Sequence, residues 1–419
     1  MSKVLFQRNF TLLLLSRQIS KLGDGILLIA LPFFIYDITG SALAAGTMFI
    51  AQMAPNLLFG LIAGVFVDRW DQKKIMIVSD ILRALLLFSL VFVNSAEMLW
   101  MIYVVAFIQS SIASFFNPAS RVILLKVVDK QNLMEANSII SVSSNIINLI
   151  GPSLGGALLG LGSFTVVVFV DTVSFFLSAL LTFFIDIGNN NSNSIKSTYS
   201  NNTNDQVKNI LYEIREGLCL ILKNKILYSA IVFMIIVWIS LGIINVLFLP
   251  FVKDVLNGGA MELGWLQSAA SVGGILGGII LLRIKKIFSI YRLIIYCSIL
   301  TGVVYLFVFN FPSLLLALFL YVLLEIPSVI FLVSIESLLQ ETVDENYRGR
   351  FYGAYGTVIG IAVISGMLLS GLLEKSIGVV PALNVAAILL IGSGIFYFLT
   401  FQLTMRNTKN QLDISSRSD

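Results

Sequence analysis

The chain has 419 residues, of which 58% are hydrophobic and 12% charged, with a formal net charge of +4. Soluble domains carry about a quarter charged residues, so an ordinary soluble fold is excluded, and the small positive charge gives no case for nucleic-acid binding. The composition is that of a polytopic membrane protein.

A helix needs about 20 apolar residues to cross the hydrocarbon core, and the chain offers twelve such runs, at 10–36, 42–67, 75–94, 98–122, 137–161, 163–186, 226–252, 262–282, 290–310, 312–336, 351–373 and 378–403. They are too long and too continuously apolar for the alternating strands of a barrel. The expected class is therefore an all-α membrane protein with twelve transmembrane helices. Lys3 and Arg8 precede the first run, but Arg17 interrupts it and no small-residue cleavage site follows, so no cleaved signal peptide is expected. With both termini placed in the cytoplasm, all 27 Lys and Arg fall on the cytoplasmic side except Lys253 and Lys375 outside and Arg17, Lys21 and Arg83 within helices.

Helix 1 holds a charged stripe. Arg17, Lys21 and Asp24 are spaced i, i+4, i+7 on one face, and Asp24 lies midway along the span. Intramembrane ionisable groups are costly and face a cavity or a partner, so Asp24 is the first candidate for proton coupling, with a fixed Lys21–Asp24 pair as the structural alternative. Helix 2 ends in the block Gly60–Lys74, where an apolar run with two glycines four apart meets Asp68, Arg69, Asp71, Lys73 and Lys74. Asp80 and Arg83 are an i, i+3 pair read as an extension of that charged turn into helix 3. In helix 6, Asp171 is deep, and a structural role is expected for it. Glu325 in helix 10, two residues before Pro327, is the second proton-coupling candidate, and Glu336 is expected to be solvated.

Between helices 6 and 7 runs a polar linker followed by an amphipathic stretch, which divides the chain into a first bundle at 1–187, the linker at 188–223, a second bundle at 224–405 and a tail at 406–419. The two bundles echo one another. Leu31-Pro32-Phe33 and Asp37 return as Leu249-Pro250-Phe251 and Asp254, and Gly151, Leu154, Gly156 and Leu158 as Gly366, Leu369, Gly371 and Leu373. On this alignment Asp24 falls opposite Gly242 or Ile243. Seven Gly-x-x-x-Gly pairs occur where chance gives about two, in helices 2, 5, 8 and 11, and they are expected to form a close contact between the bundles.

Several motifs resemble the major facilitator superfamily. Gly64, Asp68, Arg69, Lys73 and Lys74 match its signature loop between helices 2 and 3, and Gly151, Pro152, Gly155 and Gly156 match the core of the antiporter motif of drug exporters. The run from Asp68 to Ile77, Phe116-Asn117-Pro118-Ala119, Asp171 to Phe175 and Tyr347-Arg348-Gly349-Arg350 resemble the macrolide-efflux and siderophore-exporter branch. One departure is Gln109, where many such exporters carry an arginine in helix 4. The resemblance implies two pseudo-symmetric six-helix bundles and a monomer in the cell membrane that exports an amphipathic, macrolide-like molecule by proton antiport. A lysophospholipid or siderophore substrate is the alternative within that class, and a non-transporting receptor the alternative outside it. It also implies that Asp68, beside Arg69 and near the start of helix 11, latches the cytoplasmic side. No cofactor beyond the proton gradient is expected. With no histidine, no metal-ligand spacing and no nucleotide-binding loop, neither an enzyme nor a metal site is expected.

Overall fold

Each apolar run becomes a helix, because within the bilayer a helix satisfies its own backbone. The computed structural model describes residues 7–93, 95–186, 215–216, 219–222, 224–344 and 347–415, and the side-chain surroundings of these except 56, 57, 60–65, 68, 69, 96, 130, 349 and 401–415. The long helices are α1 (Arg8–Thr39), α2 (Ala42–Arg69), α3 (Gln72–Phe88), α4 (Leu99–Val127), α5 (Leu133–Leu161), α6 (Phe164–Phe183), α7 (Lys225–Pro250), α8 (Ala260–Ile284), α9 (Ile290–Asn310), α10 (Leu314–Thr342), α11 (Arg348–Ile377) and α12 (Val379–Ser415). The described residues contain no strand.

Two ends differ from expectation. The third apolar run stops as an α-helix at Phe88 and tightens into a 3₁₀ turn, Ser89–Phe92. The twelfth continues to Ser415, past the expected start of a tail at 406, because residues 401–415 contain neither glycine nor proline to end it. The linker at 188–223 lies almost wholly outside the described residues.

Local chemistry sets the connections. Gly40 takes a left-handed φ of 62° to close α1, and Ser41 accepts the Ala44 amide at 3.3 Å to open α2. Asp71 accepts the amides of Lys73 and Lys74 at 3.0 and 3.3 Å and starts α3. At the end of α7, Pro250 is followed by a π-helical turn, Phe251–Val255.

Contacts divide the chain into two units, Met1–Ser197 with Val252–Ser271, and Thr198–Phe251 with Val272–Asp419. In the first unit α1 packs on α5 and α6, α3 on α4 and α6, and α2 on α4. The segment from Val252 to Ser271 is tied in by Lys253 Nζ on Asp37 Oδ1 at 2.5 Å, by the Tyr36 hydroxyl donating to Asp254, and by Ser153 and Ser268 Oγ atoms 2.5 Å apart. In the second unit α7 packs on α11 and α12, and α9 on α10 and α12, around Phe233, Phe331 and Tyr397.

Glycines fix the closest crossings within each unit. A Cβ on Gly151 would lie 3.2 Å from the Gly25 Cα, and one on Gly242 would lie 3.2 Å from the Gly366 Cα. The α1–α5 and α7–α11 crossings are thus the same device used twice, and Gly25 corresponds to Gly242. Asp24 therefore corresponds to Leu241, one residue from the expected register. Gly273 and Gly277 seat α8 on α10 at Val322 and Ile326, and Gly156 meets Ala260 inside the first unit. Gly156 and Gly264 thus join helices from either side of the linker, as expected, whereas Gly151, Gly273 and Gly277 close helix pairs within one bundle.

α6 shows how a helix serves two solvents. Phe169, Phe176, Leu180 and Phe183 are 44–61% exposed on one face, as a lipid-facing surface would be. Asp171, Phe175, Ser178 and Thr182, at i, i+4, i+7 and i+11, are fully buried on the other, against α1 and α3. That inward face carries polar groups into the protein.

Candidate functional site

Asp24 does not pair with Lys21. Its carboxylate accepts from Arg83 of α3, with Arg83 Nη2 and Asp24 Oδ1 2.7 Å apart. The reason is geometric. Lys21 is on the same helix as Asp24, whereas Arg83 comes across from the facing helix, and the fork of its guanidinium leaves further N–H groups to satisfy. Gln109 of α4 takes them up, accepting Arg83 Nε–H at 2.9 Å and donating its own amide to the Arg83 carbonyl at 3.1 Å. The guanidinium lies over the Phe175 ring at 4.1 Å. Four helices thus hold one cation.

Arg83 and Asp80 are therefore core groups of the first unit rather than an extension of the charged turn. Asp80 is fully buried and its Oδ2 accepts from Ser178 Oγ at 2.5 Å, while Oδ1 has no partner among the described residues. Asp171 is likewise fully buried beside Ser174, with Oδ2 unpartnered. Gln109, noted above as a departure in helix 4, binds a guanidinium that belongs to α3. Only the intrahelical partners of Arg83 could be read from spacing. The available signal was a guanidinium more than two turns inside an apolar run, where a solvated role is hard to sustain.

A cavity of about 230 Å³ opens on this cluster, lined by Asp24, Arg83 and Gln109 with Gln52, Ser110 and aliphatic side chains. The Asp24 side chain is 48% exposed and that of Arg83 7%, so the acid faces the opening and the cation is shielded behind it. The volume is below the roughly 300–1,000 Å³ that drug-sized ligands fill. It suits water and protons.

The other charges of α1 stand apart. Arg17 and Lys21 are partly buried, Arg17 near Arg121 and Lys21 between Arg17 and Asp24, and neither replaces Arg83. Of the signature-loop residues, Gly64, Asp68 and Arg69 lie outside the described side chains. Lys73 donates to the Ile185 carbonyl at 2.7 Å and sits by the Phe183 ring, tying the start of α3 to the end of α6. Lys74 gives its backbone amide to Asp71. In α5, Gly151 and Gly155 press on α1 at Gly25 and Ile26, and Pro152 lies beside Gly264 of α8 within the first unit.

The second unit holds its acids differently. Glu325 packs against Gly273 of α8, with Tyr305 and Tyr321 in electrostatic reach, and forms no ion pair among the described residues. Glu336 is not freely solvated: it accepts the Tyr355 hydroxyl at 2.7 Å and borders a cavity of about 350 Å³ with Trp238, Ser337 and Gln340. The Trp238 indole N–H has no partner among the described residues.

Residues 3–418 match the family model described as transmembrane secretion effector. The chain belongs to that family of major facilitator transporters. Among its relatives in the family, an uncharacterised transporter of Bacillus subtilis, YfiS, is 29% identical over 94% of each chain. Macrolide efflux protein A of Streptococcus pyogenes is 24% identical over 86% of this chain and 88% of its own. The fold is also that of a bacterial homologue of the iron transporter ferroportin, with a TM-score of 0.74 and 16% identity over 94% of this chain and 99% of that one. The family is one of membrane transporters, so this chain is a multi-pass transporter of small molecules and not an enzyme.

Proposed function

We propose that this transporter exports an amphipathic small molecule, macrolide-like in character, in exchange for protons across the cell membrane, with both termini in the cytoplasm. The observation that carries the reading is the Asp24–Arg83 ion pair at the edge of a cavity where Gln52, Gln109 and Ser110 interrupt an aliphatic lining. An acid that is ionised, paired and reachable by water is a group that a proton can discharge. Protonation of Asp24 removes the charge that holds Arg83, and the guanidinium then keeps only Gln109 and the Phe175 face. A change at this cluster is felt on α1, α3, α4 and α6 together, which is what a coupling site must do if it is to bias a conformational equilibrium.

The substrate class rests on the similarity to macrolide efflux protein A and on the aromatic and polar lining of the cavity around Trp238 and Glu336. Glu325 is proposed as a second titrating group. Export is supported by the efflux relatives and by the antiporter motif at Gly151–Gly156.

The test is expression in an efflux-deficient strain with a resistance panel of macrolides, dyes and siderophores, followed by substrate-driven proton movement in everted vesicles. Resistance with proton release that vanishes in Asp24→Asn is the expected result. Transport that runs unchanged in Asp24→Asn sinks the coupling role, and silence across the panel moves the substrate to a lipid.

A further inference from the structure

Three buried or half-buried carboxyls, Asp24, Asp80 and Asp171, surround one cation, Arg83. α1, α3 and α5 pack on α6, and the titratable groups they bring are few. α1 brings Asp24, with Lys21 one turn away and Arg17 beyond it; α3 brings Asp80 and Arg83, with Lys73 at its start against Phe183; α5 has only Glu135, in its first turn. Arg83 is spent on Asp24 at 2.7 Å. A buried carboxylate without a counter-charge is costly, which favours the neutral form of the remaining two acids when the Asp24–Arg83 pair is made.

At Asp171 the hydrogen bonds accommodate a neutral acid. Ser174 Oγ lies 2.8 Å from the Asp171 carbonyl and 3.0 Å from Asp171 Oδ1. A hydroxyl has one proton to give. If it goes to the carbonyl, the second contact is a hydrogen bond only when the carboxyl donates it. An ionised Asp171 would, moreover, leave Oδ2 charged, buried and without a donor.

The geometry also puts this acid beside the coupling group. Gly23, the residue before Asp24, lies so close that any Cβ there would overlap Asp171 Oδ1 and Ser174 Oγ. Arg83 rests on Phe175, one helical turn along α6 from Asp171. We infer that Asp171 is a second proton-binding site of this transporter, which exchanges its proton with Asp24 while Arg83 changes partners between them. This rests on the coupling role proposed for Asp24.

The step balances. The Asp171 O–H bond breaks, an O–H bond forms on Asp24, and Arg83 turns from Asp24 to the new Asp171 carboxylate. The transfer itself begins and ends with one ionised acid and one guanidinium, so it creates no uncompensated charge in the membrane. Asp24, half-exposed at the cavity, then releases the proton and leaves a carboxylate solvated there, while Asp171, sealed from water, keeps Arg83 until a proton returns.

The experiment uses the full chain in membranes, labelled with carboxyl-¹³C aspartate and followed by infrared spectroscopy at neutral pH. Wild type is expected to show a neutral-carboxyl band that weakens by about half in Asp171→Asn, the remainder belonging to Asp80, and that also weakens in Asp24→Asn, where Arg83 takes Asp171 as its partner. In vesicles, Asp171→Asn is expected to keep substrate-for-substrate exchange, which also reports that it folds, and to lose proton-driven accumulation. A band unaltered by Asp171→Asn, or full proton-driven accumulation in that variant, overturns the inference. The wild-type band needs no variant, and its absence also overturns it. If Asp24→Asn abolishes coupling while Asp171→Asn does not, only this inference fails; if both retain it, the coupling role of Asp24 falls as well.

Discussion

In the first unit α1 crosses α5 at Gly25 and Gly151; in the second, α7 crosses α11 at Gly242 and Gly366. One residue before the crossing stands Asp24 in the first case and Leu241 in the second. The same close approach therefore carries an ion-paired, water-reachable acid in one unit and an aliphatic side chain in the other. The second unit keeps its mid-membrane acid on a different helix, α10, where Glu325 has tyrosines and no ion-paired cation about it. Packing is the repeated property and chemistry the local one. A duplicated scaffold can hold its crossings fixed while one copy acquires a charge relay, because glycines at the crossing make no demand on the residue beside them.

The sharpest way to break this comparison is to remove the cation. Arg83→Leu leaves Asp24 without its counter-charge; breaking a fully buried pair costs about 3–5 kcal/mol, and the half-exposed Asp24 brings the cost here below that. The expected result is little folded protein by size-exclusion chromatography in detergent, with much of it recovered in Arg83→Leu combined with Asp24→Leu. An equally damaging Glu325→Leu would show that the two units do not differ in the way described.

Transport separates them next. Asp24→Asn is expected to abolish proton-driven efflux while leaving substrate exchange, and Glu325→Gln to reduce efflux by about tenfold or less, equivalent to about 1.4 kcal/mol. Vesicle assays with both variants decide it, and the reverse order would move the principal coupling site to the second unit.

The crossings provide a third test. A methyl on Gly242 meets the Val363 carbonyl below contact distance, whereas one on Gly25 meets the Gly151 Cα at 3.4 Å and its carbonyl carbon at 3.9 Å. Gly242→Ala should therefore lower the melting temperature in detergent clearly more than Gly25→Ala, since backbone cannot yield as a side chain does. Equal shifts would mean that the second crossing relaxes more readily than its contacts imply. The smallest effect is expected at the cavity of the second unit, where Trp238→Phe removes the unpartnered indole N–H and keeps an aromatic face. Resistance should change by a few-fold and unevenly across substrates, by about 1 kcal/mol at most for one lost hydrogen bond.

Much of this architecture was legible in the residues. Twelve apolar runs mark twelve helices, and the recurrence of Gly151 as Gly366 marks a real crossing, because helix length and glycine placement are local properties. The partner of Asp24 was not legible. Spacing along a helix reports which groups share a face, so Lys21 and Asp24 were visible together, but Arg83 reaches Asp24 from 59 residues away in sequence. The depth of Asp171 was legible but its neighbours were not: α6 is exposed on its phenylalanine face, and its other face is core. In the signature loop, Lys73 turns out to be committed to the end of α6 through Ile185.

The stretch from Val252 to Ser271 is encoded in the second repeat and yet counted by its contacts with the first. Asp37, Tyr36 and Ser153 of the first repeat find their partners there, in Lys253, Asp254 and Ser268. For protein engineering this means that a chain divided in the polar linker would not yield two self-sufficient halves. The N-terminal fragment would carry the Asp24–Arg83 cluster but want for its own missing edge, and complementation between separately expressed fragments would hinge on about twenty residues carried by the other piece.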